Sequence, residues 1–195
     1  MPGPQCNDRL GDHALCCGNE GERIARHNAL RDALHSTAAA ASLGPSKEVR
    51  FLLPGCDKRP ADVFLPYWSS GRDTAWDVTV THPLQKATVA KAATAPGHAA
   101  NEAYARKMRE AGEECRRQGI VFTPLAVETL GGWHVVAEAE LKKLGAALAR
   151  QTGQEDSVAT GHLFQKLSVL LVKGNSAMIN NRQPGLVPTS IDGIR

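Results

Sequence analysis

The chain has 195 residues, a size that suits one domain with short appendages, or one and a half domains. Hydrophobic content of 42% is enough for a core, but aromatic content of 5% leaves most of the packing to aliphatic side chains. A net charge of +3 demands no nucleic-acid partner, no run of about 18 apolar residues is present to span a membrane, and no charged-then-apolar leader announces secretion.

The opening Met1–Pro4 is irregular, and of the five cysteines three fall within the first 17 residues. In a reducing compartment that crowding points to a metal or to nothing, rather than to a disulfide framework. Cys6, His13 and Cys17 can ligate Zn²⁺, with Cys16, His27 or a residue outside this chain as the fourth ligand of a structural site. The alternative is a reduced, metal-free cysteine pair. Residues 22–41 predict a helix, because Ile24, His27, Leu30 and Leu34 recur at helical spacing and Gly44-Pro45 stops it. His27 on that stripe is either a core histidine with one hydrogen bond or a contact to zinc or phosphate. Residues 47–53 then predict a strand, closed by Pro54-Gly55.

Residues 59–83 predict two strands joined by a polar turn over Trp68–Asp73. The first carries Asp62 within the apolar run Ala61, Val63, Phe64 and Leu65. The second alternates, with Trp76, Val78 and Val80 on one face and Asp77, Thr79 and Thr81 on the other. A carboxylate on a buried strand is costly unless it is paired, hydrogen-bonded or metal-bound. Two of them on adjacent strands suggest a shared cation, and hard oxygen ligands suit Mg²⁺ or Mn²⁺. The competing reading puts both acids at strand ends, facing water. Glu48 is either a third acid for the cation or a solvated edge residue.

The Ala-rich residues 84–95 predict a helix broken at Pro96-Gly97, and residues 98–117 predict a strong one. Its stripe is Ala100, Tyr104, Met108, Ala111 and Cys115, and the Lys and Arg residues of 106–117 cluster on it. Lys107 lies on the rim of that stripe, where an amine either snorkels to water or reaches inward to a carboxylate cluster. Residues 120–129 read as a strand stopped by Gly131-Gly132. Residues 134–150 read as an amphipathic helix, residues 158–181 as a final helix apolar nearly all round, and the tail from Pro184 as loose. The order is helix, three strands, helix, strand, helices, which fits an α/β domain with a three-strand meander and a fourth strand reached through a helix.

The ordered set of motifs resembles a known family. Arg-Pro-Ala-Asp at 59–62 is followed, after fourteen residues, by Asp77-Val78-Thr79-Val80. It is preceded by Cys6, His13 and Cys17 and by the triplet Arg26-His27-Asn28, and Gly131-Gly132-Trp133 comes later. This is similar to the restriction-enzyme-like endonuclease of site-specific non-LTR retrotransposons, a branch of the PD-(D/E)xK nucleases, over about residues 6–183. The resemblance implies a restriction-endonuclease-like αβββαβ core over residues 22–133. An N-terminal partial zinc knuckle would occupy residues 1–21, a helical C-terminal extension residues 134–183, and a tail residues 184–195.

The resemblance further implies metal-assisted phosphodiester hydrolysis. Asp62 and Asp77 would hold Mg²⁺ or Mn²⁺, with the Val78 carbonyl as a further ligand, and Lys107 would serve the attacking water or the phosphorus. Arg59, Arg72, Arg106, Arg109 and His27 would contact DNA. It also implies a nuclear setting and, in a full-length element, its RNA and a reverse transcriptase as partners, although 195 residues leave no room for a polymerase domain. Two departures stand out. Only Cys6 precedes His13, where the family has two cysteines. The usual lysine two residues after the second acid is Thr79 here. In the retroelement branch that lysine lies on the following helix in a Lys-x-x-Lys-Tyr-like pattern, which Arg106-Lys107-Met108-Arg109-Glu110-Ala111 matches at Lys107 but not at the second Lys or the Tyr, with Lys86 and Lys91 as weaker alternatives. Both departures favour a second reading, a catalytically inactive nucleic-acid-binding relic or domesticated protein of the same fold. A small zinc-stabilised helical interaction module is the third reading.

Overall fold

The computed structural model describes residues 12–16, 20–49, 52 and 61–181. The chain runs α1 (Asp12–Cys16), α2 (Glu20–Ala40), β1 (Ser46–Lys47), β2 (Val63–Ser69), β3 (Arg72–Thr81), α3 (Val89–Ala92) and α4 (His98–Lys107). A π-helical turn (Met108–Gly112) and α5 (Glu113–Arg117) follow, then β4 (Val121–Glu128), α6 (Val135–Thr152) and α7 (Asp156–Asn180). The four strands form one mixed sheet in the order β1-β2-β3-β4, with the first two pairings antiparallel and β3–β4 parallel. The protein is therefore α/β, with helices on both faces of a mixed sheet.

The alternation along β3 decides what each face meets. Trp76 and Val78 join Val63, Leu65, Leu125 and Val127 on one side, where Leu30 and Leu34 of α2, Leu141 and Leu144 of α6, and Leu163 and Leu167 of α7 cover them. The opposite side is thinner. Ala75, Phe122 and Ala126 pack there under α4, the π turn and α5 through Ala100, Ala103 and Cys115. Asp77 and Thr79 belong to this second face, at the height of Lys107. Burial of the Cys115 side chain pushes its thiol up to about 11.

Several local expectations need correction. Helix α2 does not end at Gly44-Pro45. Ser42 takes the left-handed conformation (φ 59°), and the Leu43 and Ser42 amides donate back to the Ala38 and Ala39 carbonyls, which stops the helix at Ala40, one residue short of the expected 41. Ile24 is 54% exposed rather than part of the buried stripe. The strand expected over 47–53 is only Ser46–Lys47 among the described residues, because Glu48 turns to φ 47°. The helix expected over 84–95 shrinks to α3. Helix α7 buries one face only, leaving Val169 and Val172 51% and 59% exposed.

Helices α6 and α7 cross at a contact without side-chain thickness. A Cβ on Gly145 would lie 2.7 Å from the Thr160 Cα and closer still to its Oγ1. Gly145→Ala is therefore expected to push α7 off α6 and cost about 1–3 kcal/mol, the usual range for overpacking. Urea unfolding of the variant beside the parent chain checks this.

Candidate active site

Two pieces of extended chain bring the acids together. Asp62 immediately precedes β2, and its amide donates to the Trp76 carbonyl at 2.8 Å, which locks it beside the middle of β3. The Val78 amide then donates to Asp62 Oδ2 at 2.6 Å, so the carboxylate is folded back over β3 next to Asp77. Asp77 points to the α4 face by the period of the strand. Its Oδ2 accepts from Thr79 Oγ1 at 3.1 Å, and Lys107 Nζ lies 3.2 Å from its oxygens. On the far side, His27 of α2 places Nε2 3.0 Å from Asp62 Oδ1.

These residues line one cavity of about 540 Å³ between the start of α2 and the end of α4, with Asp62, Asp77, His27 and Lys107 on its wall. The two acids feel each other. Burial raises the pKa of Asp77, the Lys107 charge opposes that, and the Asp62 charge adds to it, leaving the carboxyl above its usual range. For His27, burial works against the charged form. The hydrogen bond to Asp62 and the charges of Asp62 and Asp77 outweigh it, so the imidazole is raised. The lysine amine is reached from the last residue of α4, directly before the helix widens into its π turn. Such turns recur at functional sites because they re-aim one side chain without ending the helix.

The two carboxylates retain unused lone pairs beyond the bonds described, and they face one cavity. Two protein carboxylates with room left for water and phosphate oxygens are a donor set that suits Mg²⁺, which seldom takes a full protein cage. Among the described residues no three His, Cys, Asp or Glu side chains form a metal-binding group.

The other residues singled out by sequence fall in different places. Glu48 is not a third acid of the cluster: its carboxylate is taken up by Arg31. Arg72 is exposed at the hairpin turn, five positions along β3 from Asp77 and so about 17 Å away. That is too far to belong to the cluster's immediate surround. Arg106 is exposed and pairs with Glu110 at 3.8 Å, and Arg109 is exposed on the π turn. Lys86 and Lys91 are exposed on the segment around α3. His13 lies in α1, while Arg59, Cys6 and Cys17 lie outside the described residues.

His27 does not sit in the apolar core, as its stripe suggests, but turns to Asp62. Arg23 and Arg26 join it on the cavity wall. Their positions at i, i+3 and i+4 of one helix are the sequence signal for that shared face. No protein-family model matches the chain, and no curated protein matches it. No helix among the described residues is long and apolar enough to cross a membrane.

Proposed function

We propose that the chain is a divalent-metal-dependent DNA endonuclease domain that nicks duplex DNA, built on a restriction-endonuclease-like core of the retroelement type. The observation that carries this reading is the convergence of Asp62 and Asp77, from adjacent extended segments, on one cavity into which Lys107 also reaches. The element order helix, three strands, helix, strand supports it further. Asp62 and Asp77 would hold the Mg²⁺ or Mn²⁺ ion, which when bound supplies Lewis-acid stabilisation to a phosphodiester.

The chain's own residues do the rest. The Val78 amide and His27 fix the Asp62 carboxylate in one orientation, which matters because positioning groups gain rate only when they are held rigidly. Thr79 does the same for Asp77. Lys107 places a cation beside Asp77, where it can hold an attacking water and offset charge that develops on the phosphorus. A DNA strand entering the cavity would meet the cationic groups of α2 on the opposite wall.

A second reading has its own support. The Asp62 and Asp77 carboxylates are already engaged by the Val78 amide, His27, Thr79 and Lys107, so the cluster satisfies itself without a metal, as a nucleic-acid-binding relic of this fold would. Incubation with supercoiled plasmid separates the two. Open circles are expected in Mg²⁺ and none in excess chelator, and the Asp62→Ala/Asp77→Ala double variant should be inert in both. Plasmid binding without any nicking by the parent chain would favour the relic. Equal nicking by parent and double variant would place the activity elsewhere.

A further inference from the structure

The cavity wall holds a cation without an acid. Arg26 of α2 is 3% exposed, and among the described residues no carboxylate pairs with it. Its Nη1 donates to Asn175 Oδ1 at 2.7 Å, while its Nε–H is buried without a hydrogen-bond partner. Of the other cationic groups lining this cavity, His27 and Lys107 are each matched to an aspartate and Arg23 is exposed, so Arg26 is the buried cation that lacks an acid among the described residues. Taking a guanidinium out of water without a counter-charge is costly, and an unsatisfied buried N–H adds to that cost. Burial and the nearby Arg23 push the group down to about 10, against the opposing effect of Cys16, which leaves it charged at neutral pH.

The surroundings hold this arginine still. Its aliphatic stem crosses α7 at Gly174, where a Cβ would lie 2.5 Å from Arg26 Cγ. Asn175, which receives Nη1, is itself fixed by its Nδ2 donating to the Thr129 carbonyl at 2.7 Å. A rigid, desolvated fork with a spare donor, on the wall of a cavity that also holds two carboxylates and a lysine, is organised for a tetrahedral oxyanion.

We infer that Arg26 is a phosphate-binding residue, which receives a phosphate group of the substrate strand through its Nε–H and its outer guanidinium edge while Asp62 and Asp77 face the scissile bond. This deepens the endonuclease reading and rests on it for the source of the phosphate, although the phosphate site itself is testable alone.

The test compares the parent chain with Arg26→Met, which keeps the stem over Gly174 and removes the fork. Inorganic phosphate is expected to raise the thermal midpoint of the parent and not of the variant. With a short duplex in the absence of metal, the slope of log K against log salt should shrink by about 0.9 in the variant, the share of one phosphate contact. Phosphate stabilisation of the parent alone, without DNA binding, would keep Arg26 as a site for free phosphate and sink the endonuclease reading. Plasmid nicking by the parent with no difference in phosphate response or salt slope would overturn the Arg26 assignment and leave the endonuclease reading standing. If Arg26→Met does not fold, Arg26→Lys and Asn175→Ala replace it. Each keeps a cation in the cavity but removes the Nε–H or the bond that aims it, so each should lose at least half of the phosphate response. A full response in both overturns the inference.

Discussion

Asp77→Asn is expected to lower Mg²⁺-dependent nicking by more than about 100-fold, the upper end of what removing a group one shell further from a metal costs, without lowering the thermal midpoint. The two halves of that expectation have different causes. Asparagine fills the same space and still accepts from Thr79, but it removes one of two charges that would hold the cation. The folded protein meanwhile loses little. The Asp77 carboxyl is raised by burial and by Asp62 more than Lys107 compensates, so its charge is held in place against the preference of the site. Lys107 is 28% exposed at its side chain and can hydrate once its partner is neutral. Single-turnover nicking beside a thermal melt reads both quantities. Unchanged nicking would show that these acids do not cut DNA, and a collapse of the melt would make Asp77 a structural residue. Activity lost at constant or improved stability is the signature of a group kept for chemistry.

What the sequence makes legible follows from period and placement. The β2–β3 hairpin is readable because Trp76, Val78 and Val80 alternate strictly with Asp77, Thr79 and Thr81, and period two admits only one arrangement of faces. The approach of Lys107 to the acids is readable as one of two outcomes, since a rim lysine can turn either way. The π turn at Met108–Gly112 is not readable, because Met108, Ala111 and Cys115 keep ordinary helical spacing and nothing local announces the wider turn. Nor is the bond from His27 to Asp62. It joins residues 35 positions apart, and an apolar stripe says only which face of a helix is turned inward, not which polar group waits there. The end of α2 is read to within one residue but its cause is not: Ser42 adopts a backbone conformation normally left to glycine, so Gly44 looks like the stop and is not. Cys6 and Cys17, expected from the sequence as zinc ligands, fall outside the described residues.

Glu140→Leu is expected to destabilise the fold by about 1–3 kcal/mol, set by the cost of leaving a buried donor unpaired. Glu140 is a nearly buried acid on α6 whose Oε2 accepts from two indoles, Trp68 Nε1 at 2.5 Å and Trp76 Nε1 at 3.3 Å. The rings meet edge to face with centroids 5.7 Å apart, so one oxygen organises both. Trp76 is fully buried, and leucine would leave its N–H with neither protein nor water. Trp68 is only partly buried and can recover a hydrogen bond from solvent, which limits its share of the loss. The Lys143 bond at 2.6 Å contributes little, because the lysine side chain is 61% exposed. Some of the cost is returned, since leucine also removes a charge from the interior. Glu140→Gln keeps a carbonyl acceptor at the same reach and should lose less than half as much. Denaturant unfolding followed by tryptophan fluorescence measures both variants through the indoles themselves. Trp76 stands next to Asp77 on β3, and its carbonyl receives the Asp62 amide. Loosening Trp76 should therefore disturb both acids at once, and Glu140→Leu should lower any metal-dependent nicking under conditions where the variant is still folded. A normal rate in a destabilised but folded variant would mean that the register between Asp62 and β3 does not depend on how Trp76 is anchored.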